Sequence, residues 1–170
     1  MDMVEGCRSA SWIDVPTEEK DKGVVVYADE LKITWGNDSR YWRMNETERT
    51  AELITVWWLQ VTGSVEMNLL EANTRYKLQF NIMMKLHASG WDIPVYIMVI
   101  PGKGKSCIWR KVYLNRITKG ISTGIPSCVE FTTPSSVDDD KVSFGLFEIW
   151  GGNLKQGLVI EKVVISKVTS

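Results

Sequence analysis

The sequence is short of the residues that most enzymes and membrane proteins depend on. Its 170 residues hold one histidine, His87, and three cysteines, Cys7, Cys107 and Cys128. A lone histidine in the short loop His87-Ala88-Ser89-Gly90 gives a hydrolytic triad no support, and no serine or cysteine stands in a nucleophile elbow. The cysteines are odd in number, widely spaced and without metal-ligand pairing, so they read as reduced thiols of a cytosolic protein. Phosphate cradles are missing as well, because the basic turn Gly102-Lys103-Gly104-Lys105 has no helix behind it to present amides. The acidic run Asp138-Asp139-Asp140 lacks the ligand spacing of a calcium loop and reads as a solvated turn. No metal, cofactor or catalytic activity is expected. Long hydrophobic runs are absent, since the longest, Val95 to Ile100, is far too short to span a bilayer. Met1 to Ala10 lacks the apolar stretch of a secretory leader, which makes the sequons Asn37-Asp38-Ser39 and Asn45-Glu46-Thr47 chance matches. Nor does one sign of charge dominate. Lys plus Arg number 20 against 21 Asp plus Glu, a balance that excludes a globally basic nucleic-acid binder.

Tryptophan, by contrast, is abundant, with 8 in one chain. So are short segments of alternating character. From Arg75 to Lys85, Tyr76, Leu78, Phe80, Ile82 and Met84 share one face and polar residues the other, the pattern of a half-buried antiparallel strand. Leu53, Thr55, Trp57, Leu59 and Val61 share a face of a second strand, whose other face carries Ile54, Val56 and Trp58. Further strands are expected at 24–27, 31–35, 65–70, 95–100, 108–115, 129–132, 142–150 and 158–168, separated by turns such as Thr62-Gly63-Ser64 and Gly151-Gly152-Asn153. Many short strands with almost no helical periodicity predict an all-β fold, a jelly-roll β-sandwich of antiparallel strands with long connecting loops. The polar residues 1–23 read as an N-terminal extension, and 24–170 as a single domain.

The stretch Leu31 to Met44 draws attention. A strand delivers Trp35, a turn of Gly36, Asn37, Asp38 and Ser39 follows, and then come Tyr41, Trp42 and Arg43. Two indoles flanking a loop rich in short hydrogen-bonding groups suit a sugar, whose flat apolar face packs on a ring while its hydroxyls seek directional partners. Packing in a β-sandwich core accounts for the same residues equally well. Glu148 interrupts the apolar face formed by Val142, Phe144, Leu146 and Trp150. A carboxylate there is either paired or lines a wet site.

These segments resemble the Nictaba-type lectins, the phloem-protein-two family of plants. Ile33-Thr34-Trp35 followed by Tyr41-Trp42 is similar to the family's signature. Ala51-Glu52-Leu53 with Val56-Trp57-Trp58-Leu59 and Gly63 resembles its next strand, and Leu146-Phe147-Glu148-Ile149 with Lys155-Gln156-Gly157-Leu158-Val159 its closing hairpin. The resemblance covers about residues 28–168. It implies a non-catalytic, homodimeric jelly-roll lectin that binds N-acetylglucosamine oligomers (chitooligosaccharides), N-glycan cores and glycoproteins. It places the chain in the cytoplasm and, as a short phloem lectin, in phloem sap, without membrane insertion. Its sugar-site tryptophans fall on Trp35 and Trp42, with Trp42 expected to dominate beside Ser39 and Arg43, and its acidic residue falls on Glu148. The chain departs from the family pattern at Ser143, Leu154 and Ser166-Lys167-Val168, and it has no nuclear-address lysine run.

Two rival roles follow from other features. Between Ile93 and Val129 there is no acidic residue, while Lys103, Lys105, Arg110, Lys111, Arg116 and Lys119 are interleaved with Trp109 and Tyr113. That composition fits single-stranded RNA binding, as a phloem RNA-binding or transport protein would need. A solvated strand face and loop, in a protein whose charges balance overall, accounts for it better. A filament-associated role requires exposed, reactive cysteines.

Overall fold

The computed structural model describes residues 23–126, 129–136 and 140–169. Twelve strands account for most of them: β1 (Gly23–Tyr27), β2 (Lys32–Ile33), β3 (Trp42–Asn45), β4 (Thr50–Leu53), β5 (Leu59–Glu66), β6 (Arg75–Ser89), β7 (Val95–Ile100), β8 (Ile108–Val112), β9 (Thr123–Ile125), β10 (Glu130–Thr132), β11 (Lys141–Glu148) and β12 (Gln156–Lys167). All pairings are antiparallel. One sheet has seven strands along the path β10-β6-β12-β4-β3, with β1 joined to β12 and β9 to β6. The other has five, in the order β2-β5-β11-β7-β8. The two sheets form the expected β-sandwich.

The core lies between the sheets, where alternation buries one side of each strand. Phe80 of β6 meets Phe144 of β11 edge to face, with centroids 5.9 Å apart. The predicted alternation of β6 holds, but its second face is buried as well. Lys77, Gln79 and Asn81 are each under 9 % exposed, so the strand is covered on both sides rather than half-buried. The strand runs on to Ser89, which places His87 in the strand rather than in a loop, with its side chain exposed.

The strand expected at 65–70 is instead the end of β5 and a 3-10 turn at Met67–Leu69, and a further strand and a turn fail for physical reasons. The continuous strand through 53–61 is two strands in different sheets: β4 ends at Leu53 in the seven-stranded sheet and β5 begins at Leu59 in the other. The segment between them crosses from sheet to sheet, held by a bond from Ile54 N to Tyr41 O and by an antiparallel bridge between Val56 and Lys155. The predicted turn Thr62-Gly63-Ser64 lies inside β5 instead. Gly63 sits opposite Phe144, and a Cβ there would meet the Phe144 ring at 2.8 Å. Glycine serves that position because it lets a neighbouring ring lie across it, not because the chain turns.

Candidate functional site

The end of the sandwich where β5 starts and β11 finishes gathers most of the exposed aromatic rings. Ile33 pairs with Val61 in β2 and β5, and Thr34 N donates to Gln60 O at 3.0 Å, so Trp35 emerges beside the start of β5. Leu59 pairs with Glu148, which brings Trp57 and Trp58 beside the segment carrying Trp150. Trp35, Trp57, Trp58 and Trp150 are all exposed, Trp150 at 63 %.

Trp35 is held in an unusual conformation. Its φ is +63°, in the left-handed region that bulky L-residues rarely enter. Successive tight turns hold it there: Gly36 N donates to Ile33 O, Asp38 N to Trp35 O, and both Tyr41 N and Trp42 N to Asp38 O. The ring, 48 % exposed, lies 5.4 Å from that of Tyr41 and tilted to it. Asp38 braces the turn. One of its carboxylate oxygens accepts from Arg40 N, and its two oxygens together take a fork of bonds from the Arg40 guanidinium, the shortest 2.7 Å. Those side-chain bonds first, and the backbone bond next, hold the Asp38 pKa down at about 2. Ser39 is exposed on the same turn.

The next strand reverses the sequence expectation for Trp42. In β3 its ring turns inward, 2 % exposed, and joins the core, so no indole face is presented for stacking. By alternation Arg43 points to the opposite side, the outer face of the seven-stranded sheet, where its guanidinium lies 3.8 Å from Glu52. Trp35 and Ser39 are thus together, whereas Trp42 and Arg43 are not with them.

Glu148 lies beneath this aromatic end, buried at 2 % exposure. One carboxylate oxygen lies 2.6 Å from Lys155 Nζ, and the other accepts from Trp150 N at 3.1 Å and Gly151 N at 2.9 Å. Lys155, fully buried, also donates to Trp57 O and Asn153 O. Of the two possibilities open in the sequence, the paired one holds. The ion pair ties the segment bearing Trp57 to the segment bearing Trp150, and satisfies carbonyls and amides that would otherwise be stranded. Sequence reasoning missed Lys155, and it also missed Trp57, Trp58 and Trp150 as surface rings.

Other candidate chemistry is dispersed. Among the described residues no group of three or more His, Cys, Asp or Glu side chains is placed to hold a metal ion, and no helix is long and apolar enough to cross a membrane. Asp140 is engaged by Lys103 N and its own neighbour Lys141 N, while Asp138 and Asp139 lie outside the described residues. A depression of about 460 Å³ near Glu66, Lys103 and Lys141 lies at the opposite end of the five-stranded sheet, and no aromatic ring lines it. Cys107 is a free, exposed thiol whose pKa is pushed up by desolvation; Cys7 and Cys128 lie outside the described residues.

The sequence matches the Phloem protein 2 family model over residues 21–167. The chain belongs to the phloem protein 2 family. Among its relatives, the phloem protein 2-like A9 protein of Arabidopsis thaliana is 34 % identical over 152 residues, covering 81 % of this chain and 83 % of that protein. A protein named lectin from Luffa acutangula is 40 % identical over 90 residues, 49 % of this chain and 42 % of the relative. In structure, this phloem protein 2 chain is similar to part of the GH26-CBM35 beta-(1,4)-mannanase of Podospora anserina, with a TM-score of 0.51 at 7 % identity over 88 % of this chain and 28 % of that one. That likeness speaks to the β-sandwich fold alone.

Proposed function

We propose that this chain is a non-enzymatic lectin whose domain, residues 24–170, binds N-acetylglucosamine oligomers and N-glycan cores at its aromatic end. The observation that carries the reading is Trp35: a half-exposed indole held at positive φ and backed by Tyr41. Strained backbone of this kind is maintained where surrounding structure over-determines it, often at functional sites. Trp35 supplies the stacking surface, and Ser39 supplies a hydroxyl for the sugar. Trp58 and Trp150 take the place in the site that the sequence suggested for Trp42. Glu148 acts as a positioning residue, fixing the loops through Lys155. The named lectin among the relatives supports the same assignment. As a homodimer in the cytoplasm and phloem sap, the protein presents two such sites to glycoproteins, and binding both at once adds avidity.

RNA binding is the weaker reading. Of the cations between residues 93 and 129, Arg110 donates to Trp109 O, Arg116 lies over the Tyr113 ring and Lys119 donates to Leu86 O and Ala88 O. Three of the six cations are thus engaged with local carbonyls or a ring. Calorimetric titration with N-acetylglucosamine oligomers, alongside mannose oligomers and a short single-stranded RNA, tests the proposal. Trp35→Ala should weaken oligomer binding by about 5- to 150-fold, by analogy with loss of one ring stacked on a base. A parent protein that binds only the RNA overturns it.

A further inference from the structure

The outward face of the five-stranded sheet carries a second set of rings. Val142, Phe144, Leu146 and Glu148 of β11 face inward, so Phe147 faces out. In register beside it stand Gln60 on β5 and Tyr96 on β7, and beyond Tyr96 stands Lys111 on β8. This row crosses four strands, or roughly 14 Å at the usual interstrand spacing. Gly145 precedes Phe147 on the same face, and a Cβ there would fall on the Phe147 ring. The glycine therefore lets that ring lie down across the sheet instead of standing away from it. Trp109, on the edge strand β8, sits 6.0 Å from Phe147 and is 46 % exposed.

The platform is continuous with the aromatic end. Trp58 Nε1 donates to Gln60 Oε1 at 2.9 Å, and Trp150 meets Tyr96 edge to face at 5.3 Å. Hydrogen-bonding groups flank the rings, Gln60 and Lys111 at the two ends of the row and Thr62 beside Gly145. That mixture suits a chain of pyranoses, each with an apolar face and a rim of hydroxyls, better than it suits an apolar protein surface. We infer that this face is an extended glycan subsite: an oligosaccharide too long for the aromatic end continues over Phe147 and Tyr96 toward Trp109. The inference rests on the lectin reading above.

The test is calorimetric titration of the full chain with N-acetylglucosamine oligomers from the disaccharide to the hexasaccharide. The parent is compared with Trp109→Ala, Trp109→Tyr and Trp35→Ala, and thermal melting and light-scattering mass are recorded for each. Trp109→Ala should weaken the hexasaccharide by about 5- to 20-fold, the size of one partly exposed stacking contact, and leave the disaccharide unchanged. Trp109→Tyr should restore most of the loss, and Trp35→Ala should weaken every length. If Trp109→Ala binds the hexasaccharide as the parent does, the subsite is overturned while the lectin reading stands. A changed mass with unchanged hexasaccharide affinity makes the face a contact between two copies and overturns it equally. A parent that binds no oligomer overturns both readings.

Discussion

Trp35 and Trp42 are separated only by consecutive tight turns, yet they end in opposite environments, one half-exposed and one in the core. Their truncations should separate binding from folding. Trp42→Ala removes a buried ring and should cost about 3–5 kcal/mol, or roughly 6–20 °C in melting temperature for a chain of this size. Trp35→Ala should shift melting by no more than about 3 °C, since the half-exposed ring gives up only its contact with Tyr41 and alanine, which keeps the Cβ, leaves the left-handed strain as it was. Differential scanning calorimetry of both variants checks this, and equal melting losses would contradict the assignment. Lys155 makes a second case at the same scale. Lys155→Met leaves the Glu148 carboxylate buried without its cation and should destabilise by about 3–5 kcal/mol. Adding Glu148→Gln to Lys155→Met should recover a large part of that, and a double mutant no more stable than the single would mean that the pair's charges are not what matters.

Among the elements, the turn between β2 and β3 has a defined acid sensitivity. The Asp38 pKa is depressed to about 2 by Arg40, against an ordinary value of 3.8. A depressed carboxylate contributes above its unfolded pKa and loses that contribution as pH falls through the folded one. Near-ultraviolet circular dichroism of the turn tryptophans should therefore stay flat from pH 8 to pH 4 and change only as pH approaches 2. Asp38→Asn should lose that low-pH step, and a midpoint near 4 in the parent would rule out the Arg40 brace. The strands themselves were largely legible, because apolar and polar residues alternate along β6 and β11 and β7 stands out as a short apolar run. What alternation cannot reveal is a change of sheet. The pattern from Leu53 to Val61 runs on unbroken while the chain leaves one sheet and enters the other, and this crossing is what exposes Trp57 and Trp58. Nor does period mark which of two tryptophans points inward. Trp42 is set by its pairing with Leu53, a tertiary fact, and Lys155 reaches Glu148 only after the intervening loop folds back. The Trp35 motif was legible because a resemblance, not a periodicity, carried it.

Across the whole molecule, acidic and basic residues nearly cancel, and the aromatic end is built from rings and neutral hydrogen-bonding groups around two closed ion pairs, Asp38–Arg40 and the buried Glu148–Lys155. Glycan affinity should consequently change less than about twofold between 50 and 200 mM salt, whereas a ligand held by several phosphates would lose orders of magnitude. Titration at the two salt concentrations decides between them. The position of β12 has a separate consequence. This strand, the last described in sequence, lies at the heart of the seven-stranded sheet, with β6 along one edge and β1 and β4 along the other. During synthesis on the ribosome, β1, β4 and β6 emerge with their central partner not yet made, so the sheet cannot close until about residue 167 has cleared the exit tunnel. Until then the nascent chain exposes strand edges and apolar faces to its surroundings. A message cut short anywhere before β12 would yield not a smaller binding domain but a substrate for chaperones and proteases.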